Sequence, residues 1–138
     1  MNKLLIIDGQ GGGIGKVLIE QLKQAYPALH ITAVGTNTMA TAAMMRAGAD
    51  AHATGENAVV VCTARAELIA GPVGIVMPNA MLGELSPRMA EAVSTSGAPK
   101  VLVPVSKCNT FIAGASDRPL AESVAQTVAL IGRFLKES

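Results

Sequence analysis

Aromatic side chains are nearly missing from this chain, which has no Trp, one Tyr and two Phe among 138 residues. Single-stranded nucleic acid is gripped by stacking its bases on exposed aromatics, so that class of partner is not expected. Charge is also scarce: 15% of residues carry it, and the two signs nearly cancel at a formal +1. A duplex-binding face needs clustered Lys and Arg, which this composition does not provide. His30 and His52 share no motif, and Cys62 and Cys108 have neither zinc-type spacing nor the numbers for a disulfide framework, so no metal is expected. No apolar run is long. After Met1-Asn2-Lys3 only Leu4 to Ile7 intervene before Asp8, too few for a signal peptide or a membrane span. A cytoplasmic protein with no membrane partner is the expectation.

Apolar residues make up half of the chain, enough for a packed core and too many for disorder. No repeat, linker or composition break divides it, so residues 1–138 read as one domain. With 14 Gly, 7 Met and few charges, the surface is expected to be apolar enough to favour a homo-oligomer.

The pattern along the chain alternates. Leu4-Leu5-Ile6-Ile7 reads as a parallel strand covered on both faces. From Ile14 the period becomes helical, with Ile14, Val17, Leu18, Leu22 and Ala25 on one face and Pro27 marking the end. A second strand is expected over His30 to Val34, then a helix from about Thr38 to Ala47 that stops at Gly48. Thr54-Gly55-Glu56-Asn57 looks like a helix start, whereas Val59-Val60-Val61 is β-branched and suits a strand. Helix is preferred here, because Leu68-Ile69-Ala70 before Gly71-Pro72 makes the better third strand. Ser86-Pro87 opens a helix with a good cap and Pro at its first position, ending near Gly97. Val101 to Val103 is a fourth strand, and Phe111-Ile112-Ala113 is a candidate short partner. Asp117 with Pro119 starts a last helix whose inner face holds Leu120, Val124, Val128, Ile131 and Leu135. The fold class is α/β: a Rossmann-like three-layer sandwich with a small, mostly parallel sheet.

The strongest chemical signal is Asp8-Gly9-Gln10-Gly11-Gly12-Gly13-Ile14-Gly15-Lys16, set between a buried strand and an amphipathic helix. Glycines let a backbone turn tightly and approach a pyrophosphate, and the following helix offers unpaired N–H groups to an anion. Gly9, Gly13 and Gly15 give a spacing that resembles the loop of short-chain dehydrogenases and reductases. The G-x-G-x-x-G spacing is not met, because from Gly9 and Gly11 its last position is Ile14. The tail Gly12 to Lys16 resembles a P-loop, yet Val17 stands where Ser or Thr should bind magnesium. Three readings stay open: a dinucleotide site, a site for another phosphate or nucleotide, and a purely structural turn. NAD or NADP is the leading cofactor expectation. Gly35-Thr36-Asn37 ends the second strand without the acidic residue that usually holds the ribose, so Thr36 and Asn37 either meet the ligand or cap the next helix.

Ligands of such sheets sit beyond the carboxyl ends of the strands, which gathers Asp8, Gly9 and Gln10 with Gly71 to Gly74, Pro72 among them, and with Ser106 to Asn109. Asp8 could bind magnesium, accept a ligand hydroxyl or cap loop amides. Lys107 is a candidate phosphate partner or a solvated lysine, and Cys108 a nucleophile or a buried filler. Glu56, Asn57 and Asn79 would contact ligand if their loops fold over the strand ends. Met77, Met81 and Met89 read as packing or an oligomer seam. Short-chain dehydrogenases need Tyr-x-x-x-Lys, but Tyr26, beside Pro27, lies at the wrong end of the first helix.

Taken together with Ala53 to Ala58, Gly71 to Ile75, Asn79 to Glu84 and Pro104 to Asn109, the glycine loop and Gly35-Thr36-Asn37 resemble a family of short uncharacterised bacterial proteins. That family is classed as a domain of unknown function. The resemblance implies a Rossmann-like domain and a bacterial source, and assigns no catalytic residues. The functional expectation is therefore a protein that binds a nucleotide or phosphorylated small molecule through the loop. The alternatives are a small enzyme using Asp8, Glu56 and Lys107, and a ligand-free structural homo-oligomer.

Overall fold

The computed structural model describes residues 1–105, 109–115 and 118–136. Five strands, β1 (Lys3–Asp8), β2 (His30–Gly35), β3 (Ala51–Thr54), β4 (Ile69–Pro72) and β5 (Lys100–Val103), form one sheet in the order β3-β2-β1-β4-β5. Every pairing is parallel. Five helices connect or follow them: α1 (Gly13–Ala25), α2 (Thr38–Arg46), α3 (Glu56–Arg65), α4 (Pro87–Thr95) and α5 (Leu120–Lys136). The strand order reverses between β1 and β4, which opens a crevice at their carboxyl ends.

The two faces of β1 divide the core. Leu4 and Ile6 pack with Leu18, Ile19 and Leu22 of α1, Met44 of α2, and Val124 and Ile131 of α5. Leu5 and Ile7 face the opposite way, onto Val59 of α3 and Met89, Ala90 and Val93 of α4. A strand's side chains alternate with period two, so an unbroken apolar run is what a strand with helices on both sides requires.

Several local expectations are corrected. The edge strand β3 is additional to the strands read from the pattern; it forms because Ala51 to Thr54 pair with Thr32 to Gly35. The β-branched run at Val59 to Val61 is helical, as preferred from the sequence, and of the three only Val59 is fully buried. On α1 the inner face runs through Ile19, while Val17 is 38% exposed and Ala25 is exposed. Phe111 to Ala113 form no strand, and Phe111 is exposed. On α5, Val124 and Ile131 are buried and Val128 and Leu135 partly so, whereas Leu120 is half exposed. Asp117 lies outside the described residues. Among those described, no helix is long and apolar enough to cross a membrane.

Candidate functional site

The loop from Gly9 to Gly12 leaves the end of β1 and turns directly into α1. Gly12 holds a left-handed conformation at φ +72°, and a Cβ there would come within 2.9 Å of the Ala40 backbone of α2. Only glycine suits that corner. No side chain of the turn itself caps α1. Asp8, 4% exposed, does that work from the strand: its two carboxylate oxygens accept from the Gly9 N–H at 2.8 Å and the Gly15 N–H at 2.7 Å. Of the roles open to Asp8, the loop cap is the one the geometry shows.

The remaining amides fall into two groups. Gly12 N–H donates to the Gly9 carbonyl at 2.9 Å, and Lys16 N–H to the Gly12 carbonyl at 2.9 Å. Gln10 N–H donates to Glu84 Oε1 at 2.8 Å. Among the described residues, the N–H groups of Gly11, Gly13 and Ile14 have no acceptor. These are the loop crest and the first two helical positions, where donors are left over by helix geometry. All three residues line one cavity of about 590 Å³.

That cavity lies at the switch between β1 and β4. Asp8 to Ile14 form one wall. Pro72, Val73 and Gly74, from the end of β4 and the short 3₁₀ turn Val73–Val76 that follows, also line the cavity. Met77, Ala80, Met81 and Leu82 complete the lining with Val105 and Leu120. Away from the glycine loop the surface is apolar, as small-molecule sites commonly are. Asp8 is the one charged residue among the described lining, and both its oxygens are engaged. Anion binding here would therefore rest on directed amides rather than on net positive charge.

Most of the other residues singled out in the sequence fall elsewhere. Gly15 and Gly71 are packed: a Cβ on Gly15 would meet the Met44 sulfur at 2.6 Å, and one on Gly71 would strike the Ile7 carbonyl. Neither they nor Thr36 and Asn37 line the cavity. Asn37 caps α2, its Oδ1 accepting from the Ala40 N–H at 2.9 Å. Glu56 accepts from the Ser86 hydroxyl at 2.6 Å, tying α3 to the cap of α4, so it does not converge with Asp8. Asn57 and Asn79 are exposed and do not line the cavity. Met77 and Met81 do line it, while Met89 is core. Lys107 and Cys108 lie outside the described residues. Tyr26 ends α1 far from the loop, its hydroxyl against Gly132 of α5. Burial pushes the Cys62 thiol up from its ordinary pKa, the wrong direction for a nucleophile. No group of three His, Cys, Asp or Glu suited to a metal occurs among the described residues.

One residue stands out that the sequence marked only by its loop. Glu84 Oε1 accepts from Gln10 N–H, from Thr36 Oγ1 at 2.8 Å and from Asn37 Nδ2 at 2.7 Å. Its partners are 47 to 74 positions away in sequence, so no local pattern could reveal the contact. These donors, Gln10 N–H foremost, hold its carboxyl below the usual carboxylate range.

Comparison with known proteins adds the family. The family described as domain of unknown function DUF3842 matches residues 3–136, nearly the whole chain. The chain belongs to this family. No curated protein matches this DUF3842 chain. Among solved structures it is similar to a dodecameric FMN-dependent Ubix-like decarboxylase from Escherichia coli O157:H7, with 19% identity and a TM-score of 0.47. The match covers 96% of the DUF3842 chain and 76% of the other.

Proposed function

We propose that this protein binds a phosphate-bearing small molecule, of the nucleotide class, with the phosphate on the amides of Gly11, Gly13 and Ile14. The observation that carries the reading is a contrast within the loop. Gly12 is glycine because the fold demands it, being left-handed and pressed on Ala40. Gly11 and Gly13 have no positive φ, and a Cβ on either would meet nothing within 4 Å. The folded chain has no use for glycine at those two positions. A ligand does, because close approach of an anion to backbone N–H groups is what a missing Cβ permits. Both residues also line the cavity, whose apolar remainder suits a base or another ring attached to the phosphate.

Gly13→Ala separates this from a structural turn. The substitution adds helix propensity at the first position of α1 without a clash, so stability should hold or rise by up to about 1 kcal/mol. Ligand binding should be lost. Thermal shift against NAD, NADP, ATP, GTP, FAD, FMN and coenzyme A reads both effects. A ligand at 100 times its Kd stabilises by about 2.7 kcal/mol, which is several degrees for a domain of this size. A shift in the wild type that disappears in Gly13→Ala supports the reading. Equal shifts in both proteins would move the site away from the loop.

A further inference from the structure

We propose that Glu84 closes the second-strand side of the site, so that the cavity takes a mononucleotide, with one phosphate-bearing arm, and rejects a dinucleotide. This rests on the reading of the glycine loop above and goes further, to the ligand's class. In a doubly wound sheet a dinucleotide straddles the first strand, with one nucleoside on each side of the switch point. The half that lies toward the second strand needs free polar groups at that strand's end and room to reach them.

Neither is available here. The side-chain donors at the end of β2, Thr36 Oγ1 and Asn37 Nδ2, both turn to Glu84 Oε1, and Asn37 Nδ2 also reaches the Gln10 carbonyl at 3.0 Å. The way over Gly9 is filled. An atom at the position of a Gly9 Cβ would lie 2.5 Å from the Met81 sulfur, 2.6 Å from Thr36 Oγ1 and 3.3 Å from Glu84 Oε1. The cavity accordingly runs the other way, from the glycine loop toward Pro72, Val73 and Met77, and no described residue of β2 lines it. Glu84 also sets a carboxylate where the second phosphate and ribose of a dinucleotide would pass, and like charges repel there. The donors around it keep that carboxyl ionised at neutral pH.

The test is a ratio. Isothermal titration of the full chain with nicotinamide mononucleotide against NAD, and with FMN against FAD, compares each mononucleotide with the dinucleotide that contains it. In the wild type at least one mononucleotide should bind about tenfold or more tightly than its dinucleotide. Glu84→Ala should reduce that preference to roughly threefold or less, mainly by tightening the dinucleotide. Should Glu84→Ala fail to fold, Glu84→Asp serves, being one methylene too short to reach Gln10, Thr36 and Asn37 together. A dinucleotide that binds the wild type as tightly as its mononucleotide, with both lost in Gly13→Ala, overturns this inference and leaves the loop reading standing. A preference unchanged by the Glu84 variants also overturns it. No binding by any of the four overturns the inference, and the reading beneath it falls too only if ATP, GTP and coenzyme A also give no thermal shift.

Discussion

At the level of single residues, Asp8 caps the loop beside the cavity proposed to hold the ligand. Its carboxylate accepts from Gly9 N–H and Gly15 N–H in a buried position, which satisfies two amides and leaves those of Gly11, Gly13 and Ile14, residues that line the cavity, without an acceptor. Asp8→Asn offers one oxygen where two are used, so one buried amide loses its acceptor. The expected cost is about 1–3 kcal/mol, read from the shift in denaturant midpoint at constant slope. Glu84 carries a pH dependence. Its folded carboxyl lies below its ordinary pKa of about 4.3, so its contribution to stability is complete above that value and is lost as pH falls through the lower, folded pKa. The Tm difference between wild type and Glu84→Gln should therefore be largest near neutrality and shrink below about pH 4. The sequence made Asp8 legible, because a carboxylate ending an apolar run before a glycine loop has few roles. It hid Glu84, whose partners are brought together only by the sheet.

At the scale of elements, local signals read well where one residue decides the geometry. Ser86 before Pro87 caps α4, its hydroxyl accepting from Met89 N–H at 3.2 Å, and Gly48 at φ +121° follows the end of α2. They failed where pairing decides. Ala51 to Thr54 hold a single β-branched residue and become a strand because β2 offers an open edge. The segment from Met77 to Leu85 was unreadable for another reason. It places Asn79, Met81 and Leu82 at φ +65°, +60° and +58°, a conformation propensity never favours for Met or Leu. The result is Leu82, 98% exposed, which lines the cavity along with half-exposed Leu120. Leu82→Asn should leave Tm unchanged or raise it, since Asn tolerates the left-handed region better. The same change should weaken ligand about fivefold, or about 1 kcal/mol, through lost apolar contact. Titration calorimetry beside a melting curve separates the two effects.

Across the whole molecule, the α/β reading followed from the alternation of apolar strands with amphipathic helices, and all five strands are parallel. That order creates the crevice between β1 and β4, and the glycine loop delivers the first turn of α1 to its rim. The strand-end rule reached Pro72, Val73 and Gly74, but the rest of the cavity's apolar lining was not legible, because Met77, Met81, Leu82 and Leu120 come from segments that share no local pattern. Whether the three backbone amides receive a phosphate is read directly from amide chemical shifts of ¹⁵N-labelled protein. Titration with the tightest-binding nucleotide should move Gly11, Gly13 and Ile14 furthest, with smaller changes at Met77 and Met81. Saturable binding that leaves those three amides unmoved and shifts a different surface would contradict the account.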